Sequence, residues 1–169
     1  VPMVEPEVLL DGDHDIQTAY EVTEVVLRGV FDALYSQNVM LEGTILKASM
    51  VVPGKDCPEQ ASVEEVAEAT LMCLKSTVPA ILPGIVFLSG GQSDEAATAH
   101  LDAMNRMGPH PWPLSFSYGR AMQQAAQPAR QSIAVSGTAM RCGGRTPRGA
   151  DGDRRRHRHQ SAVTSDASR

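Results

Sequence analysis

Lys47 closes an apolar, strand-like run, Leu41-Glu42-Gly43-Thr44-Ile45-Leu46-Lys47. An ammonium is costly to take out of water, so burial favours the free amine, which attacks ketones to form a Schiff base. The plainer role for a strand-end lysine is a packed stem with its charged head in water. What favours chemistry is the set of residues that share its position in the chain's pattern. Glu5 ends a short strand-like stretch at Met3-Val4, Ser89-Gly90-Gly91 follows Gly84 to Leu88, and Ser117-Tyr118-Gly119-Arg120 follows Pro113 to Ser117. A carboxylate beside an amine can carry the protons that imine formation and release require. Glycine turns ahead of a helix present bare backbone N–H groups to an anion, and a guanidinium suits phosphate. A tight strand-to-helix turn is the ordinary use of a Gly-Gly pair. Lysine, carboxylate and two anion loops together point to carbon–carbon lyase chemistry on a phosphorylated ketose.

These residues converge only if the elements carrying them are arranged in parallel. Ile16, Ala19, Tyr20, Val26, Leu27, Val30, Phe31 and Leu34 recur at helical spacing over about five turns. Leu41 to Lys47 reads as a second strand. Ser62 with Glu65 three residues later is a capping-box signature, opening a helix that should bury Val63, Val66, Ala67, Thr70, Leu71 and Leu74. Gly84 to Leu88 is a third strand, apolar throughout as a fully buried parallel strand would be. Ser93-Asp94-Glu95 starts a helix to about Met107, Pro113 to Ser117 is a fourth strand, and Arg120 begins a further helix. Strands alternating with helices predict an α/β fold with a parallel sheet, whose strands all end on one face. If the first two strands pair, Glu5 and Lys47 are neighbours at roughly 5 Å. The unit length suits an open doubly wound sheet or a (β/α)8 barrel, which typically needs about 250 residues.

The 169 residues divide by composition into two kinds of sequence. Residues 1–127 carry a charge balance of −11, and residues 128–169, with nine Arg and three acids, a balance of +6. Residues 119–169 hold no Phe, Trp or Tyr, so 128–169 is read as a disordered Arg/Gly/Ser-rich tail. Its cluster Arg154-Arg155-Arg156-His157-Arg158-His159 is the basis for an alternative reading, a basic-tailed nucleic-acid or protein interaction module. With no interleaved aromatics, the cluster reads as a solvated run rather than a nucleic-acid site. No apolar run reaches the roughly 18–20 residues of a membrane span, and no secretory segment opens the chain. Cys57, Cys73 and Cys142 are scattered, as reduced thiols would be, and His14, His100 and His110 lack metal-ligand spacing. Opening at Val1 directly before a strand, the chain is expected to be a fragment or a processed product.

Four segments, in order, carry a resemblance. Val1-Pro2-Met3-Val4-Glu5-Pro6-Glu7, Leu41 to Lys47, Phe87-Leu88-Ser89-Gly90-Gly91-Gln92-Ser93 and Ser115-Phe116-Ser117-Tyr118-Gly119-Arg120-Ala121 resemble class I fructose-bisphosphate aldolases over about residues 1–127. The resemblance implies a partial TIM (β/α)8 barrel, its last four βα units. It makes Lys47 the Schiff-base lysine, Glu5 the acid/base of the early steps and Glu7 a supporting carboxylate. Ser89, Gly90, Gly91, Ser117, Gly119 and Arg120 would hold a substrate phosphate. It further implies glycolytic cleavage of fructose 1,6-bisphosphate to dihydroxyacetone phosphate and glyceraldehyde 3-phosphate. No cofactor or metal is implied, because the protonated imine is the electrophile. A homotetramer in cytoplasm or plastid, not secreted and not at a membrane, completes the expectation. Two departures stand out. The family's proline after the lysine is Ala48 here, and the strands expected to carry an aspartate and further lysines for cleavage are missing. From about Pro128 the similarity ends, and the tail looks like a shifted reading frame; a catalytically inactive remnant is the alternative within the family.

Overall fold

The computed structural model describes residues 1–118. Four strands, β1 (Met3–Val4), β2 (Ile45–Ala48), β3 (Ile85–Phe87) and β4 (Leu114–Phe116), alternate with three helices, α1 (Ile16–Ser36), α2 (Val63–Thr77) and α3 (Asp94–Arg106). All neighbouring strands are parallel and the sheet order is β1-β2-β3-β4. A doubly wound sheet reverses its strand order at a switch point. This one advances one strand at a time, with α1 packed on α2 and α2 on α3. That is the wall of a (β/α)8 barrel. The helix expected from Arg120 lies outside the described residues.

Each helix starts where its sequence supplies a cap. Asp15 accepts from the Thr18 amide at 2.8 Å to open α1. Ser62 and Glu65 form the expected reciprocal capping box on α2, and Ser93 accepts from Ala96 to open α3. Such a cap contributes about 1 kcal/mol. On α1 the buried stripe is Ala19, Thr23, Leu27 and Phe31, four residues apart in succession. Thr23 fits there because its hydroxyl donates to the Ala19 carbonyl at 2.7 Å. On α2, Cys73 is buried and Val63 only partly so, reversing the expectation for Val63; at the first helical position it sits on the rim of the core.

Two strand expectations are corrected. Leu41–Gly43 is a 3-10 turn, closed by Thr44 N–H donating to the Leu41 carbonyl at 3.0 Å, and β2 begins only at Ile45. Leu41 is apolar because it plugs the core at 4% exposure, not because it alternates in a strand. β3 is buried on one face only. Ile85 and Phe87 are inaccessible beneath the helices, while Val86 between them is half-buried on the opposite face. Full burial of such side chains stabilises the fold by roughly 1.5–3 kcal/mol each.

The loop after β1 is clasped to the loop after β2. Gly54 donates to the His14 carbonyl at 2.8 Å, Lys55 to that of Leu10 at 2.8 Å, and Asp56 to that of Gly12 at 3.0 Å. A β-carbon on Gly54 would collide with the Gly12 carbonyl, so the close approach requires glycine here. Lys55 also pairs with Asp11 across the clasp.

Candidate active site

Register brings the chemistry together. Val4 lies opposite Leu46, Lys47 opposite Val86, and Val86 opposite Ser115. In parallel strands, residues on one rung share a face. The face that carries Lys47 is therefore the one the helices leave uncovered, and Glu5, one residue past Val4, falls beside it. Lys47 Nζ donates to Glu5 Oε2 at 2.8 Å, with 21% of the lysine side chain and 52% of the glutamate side chain exposed. The stem is packed and the head reaches a carboxylate rather than bulk water alone.

The pair opens into a cavity of about 240 Å³ lined by Glu5, Glu7, Lys47, Leu88, Ser89, Gly90 and Ser117. Ser117 is brought to it by its own amide, which donates to the Phe87 carbonyl at 2.8 Å just past the end of β4. Leu88 N–H donates to the Ala48 carbonyl at 3.1 Å and carries β3 one residue further. The chain then turns through Ser89-Gly90-Gly91, with φ of +60° at Gly90 and +88° at Gly91, conformations that favour glycine. Gln92 N–H closes the turn on the Ser89 carbonyl at 3.0 Å. Because α3 starts at Ser93–Asp94, the turn lies directly ahead of a helix N-terminus, which favours anions.

Of the residues expected from sequence, Lys47, Glu5, Glu7, Ser89, Gly90 and Ser117 border this cavity. Gly91 belongs to the same turn but borders a neighbouring cavity behind it, lined also by Leu10, Lys55, Gln92 and His100. Gly119 and Arg120 lie outside the described residues. Sequence reading missed Ser49, whose hydroxyl accepts from the Val8 amide at 3.1 Å and holds the loop of Glu7 against the end of β2. It also missed Leu88, an apolar wall of the cavity. Among the described residues no group of three or more His, Cys, Asp or Glu converges as a metal-ligand set, and no helix is long and apolar enough to cross a membrane. Burial, with a smaller contribution from the charge of Glu24, pushes the Cys73 thiol up to about 12, so it is not a nucleophile at neutral pH.

A singly wound parallel wall, with helices on one face and a lysine–carboxylate pair at its strand ends, defines part of a (β/α)8 barrel with its polar site at the C-terminal ends of the strands. Comparison with known proteins supplies the family. The model for class-I fructose-bisphosphate aldolase, of glycolytic type, matches residues 1–134, past the boundary expected at residue 127, and the chain belongs to that family. It is 78% identical over 126 residues to a probable fructose-bisphosphate aldolase class 1 of Xylella fastidiosa strain 9a5c, covering 75% of this chain and 38% of the relative. Fructose-bisphosphate aldolase 1 of Toxoplasma gondii is 56% identical over 133 residues, covering 79% of this chain and 37% of its own length. The crystal structure of fructose-bisphosphate aldolase from Plasmodium falciparum, in complex with TRAP and a small-molecule inhibitor, superposes with a TM-score of 0.76 at 46% identity. It covers 82% of this chain and 40% of that one. The chain thus spans about two fifths of the length of the proteins it matches.

Proposed function

We propose that this chain carries the imine-forming part of a class I fructose-bisphosphate aldolase site. The observation that supports it is the 2.8 Å Lys47–Glu5 pair, opening into one cavity with the Ser89-Gly90 turn. In this reading Glu5 takes a proton from the Lys47 ammonium, and the free Nζ attacks the ketose C2. The carbinolamine loses its hydroxyl as water, with Glu5 returning a proton, and leaves a protonated imine. The iminium takes up the electron pair of the adjacent C3–C4 bond as that bond breaks, while the C4 hydroxyl becomes the aldehyde carbonyl and its proton goes to a base carried by the rest of the family's barrel. Glu7 supports the charge of the site. Ser89, Gly90, Gly91, Ser117, Gly119 and Arg120 hold the substrate phosphate.

The whole-protein activity that goes with the family is reversible cleavage of fructose 1,6-bisphosphate to dihydroxyacetone phosphate and glyceraldehyde 3-phosphate. It would take place in a homotetramer of the cytoplasm or plastid, with no metal or cofactor. The test is borohydride reduction in the presence of dihydroxyacetone phosphate, with peptide mass mapping. A reduced adduct on Lys47, absent in Lys47→Ala, is expected. A folded chain that yields no adduct overturns the reading and leaves a non-catalytic member of the family.

A further inference from the structure

The Ser89-Gly90-Gly91 turn is held from behind by a short chain of side-chain contacts. His100, on the buried face of α3 at 7% exposure, places Nδ1 2.7 Å from Gln92 Oε1. Gln92 Nε2 in turn approaches the sulfur of Met50, itself 2% exposed, at 3.7 Å. With the amide nitrogen facing Met50, Oε1 is the acceptor and His100 Nδ1 carries the proton. Gln92 is also the residue whose backbone N–H closes the turn on Ser89. Its side chain is therefore fixed at one end to a helix and at the other to the loop after β2, while its backbone sets the turn that borders the lysine cavity. Two successive glycines at positive φ have no side chains to hold that conformation themselves, and glycine loses more freedom on ordering than any other residue. The order must come from neighbours, and the His100–Gln92–Met50 relay supplies it.

We propose that His100 is a positioning residue for the phosphate-holding turn, acting through Gln92. The proposal rests on the reading of that turn as a phosphate cradle. It is specific to phosphorylated substrates: an ordered turn favours a ketose bearing phosphate and is indifferent to one without. Among the described residues, the charged residue bordering the cavity behind the turn is Lys55, paired with Asp11. Burial also keeps the imidazole of His100 below its ordinary pKa, consistent with a neutral donor at this position.

The experiment uses the full chain as wild type, His100→Phe, which keeps a ring but loses the donor, and His100→Asn, whose amide nitrogen can stand where Nδ1 stands. Folding is followed by the fluorescence of Trp112. Borohydride trapping on Lys47 is measured against the concentration of dihydroxyacetone phosphate and, separately, of unphosphorylated dihydroxyacetone. Loss of one hydrogen bond predicts a half-saturating concentration of the phosphate ester raised about tenfold in His100→Phe. The unphosphorylated ketone should be unchanged, and His100→Asn should lie near wild type. Amide hydrogen exchange of residues 88–93 is read in parallel and should quicken in His100→Phe alone. Equal loss with both ketones, or unaltered exchange across 88–93, overturns the proposal. Faster exchange in His100→Phe with no phosphate preference in the wild type upholds positioning by His100 and overturns the cradle reading beneath it.

Discussion

On the helix side of the sheet, Leu46, Ala48, Ile85 and Phe87 are each at most 2% exposed, whereas one residue along, on the other side, Lys47 keeps 21% of its side chain exposed and its partner Glu5 52%. Strand side chains alternate with a period of two, so stability and chemistry are interleaved along the same few residues. The helix side is a close-packed interior in which every methylene counts. The open side holds polar groups whose value lies in reactivity. A substitution one position along should therefore damage a different property of the molecule.

The sharpest way to break that contrast is to empty the helix side. Phe87→Ala removes an inaccessible ring and should cost about 3–5 kcal/mol, read as a fall in the urea midpoint of the full chain. Lys47→Ala, one rung from the Ala48–Phe87 pair but on the opposite face, should leave the midpoint within about 0.5 kcal/mol of wild type, since a half-open ion pair contributes little. If Lys47→Ala destabilises as much as Phe87→Ala, the two faces are not functionally distinct.

Glu5→Gln sharpens the comparison within the open side. Gln can still accept a hydrogen bond from Lys47 but cannot take its proton. Formation of the trapped adduct should slow by about a hundredfold while the unfolding midpoint holds. An unchanged trapping rate would remove Glu5 from the proton transfers and leave it a mere ion-pair partner.

The helix side was the easier to read from sequence. Its period-3.6 and apolar patterns are written in many residues at once, so the three helices and the order of four strands were legible, and so was the Ser62–Glu65 box. What failed was local. Leu41 looks like a strand residue because it is apolar, yet its turn is closed by backbone bonds that no side chain announces. Val86 looks buried because valine is apolar, and only the register reveals that it faces the open side. In the site, Lys47 and Glu5 were found by type and position. Gln92 and His100 were not, because a glutamine and a histidine eight residues apart gain meaning only once a helix turns one ring back toward the loop. Ser49 was missed for the same reason: its partner, the Val8 amide, is distant in sequence.

A smaller effect tests how far helix ends contribute to the packed side. Ser62→Ala removes the bond that its hydroxyl accepts from the Glu65 amide, leaving the backbone N–H of residue 62 on the Glu65 carboxylate, and should cost about 1 kcal/mol without altering trapping at Lys47. A cost near that of Phe87→Ala would mean the cap, rather than the buried face, holds α2 on the sheet.

The smallest expected effect concerns the group that joins the two regions. Burial holds the His100 imidazole below its ordinary value of 6.5. The folded chain then binds fewer protons than the unfolded chain between 6.5 and the lowered value. His100 therefore contributes stability that is fully present above pH 6.5 and is lost as pH falls through its folded pKa. The carboxylates of Asp15 and Glu65, held below their ordinary values of 3.8 and 4.5 by the helix-cap bonds to Thr18 and Ser62, are lost only in a more acid window. The two windows separate, and His100→Asn should remove the upper one alone. Urea midpoints taken from pH 7.5 to 5.5 should decline in the wild type and stay flat in His100→Asn. Parallel decline in both chains would place the titration elsewhere and detach His100 from the buried side of the fold.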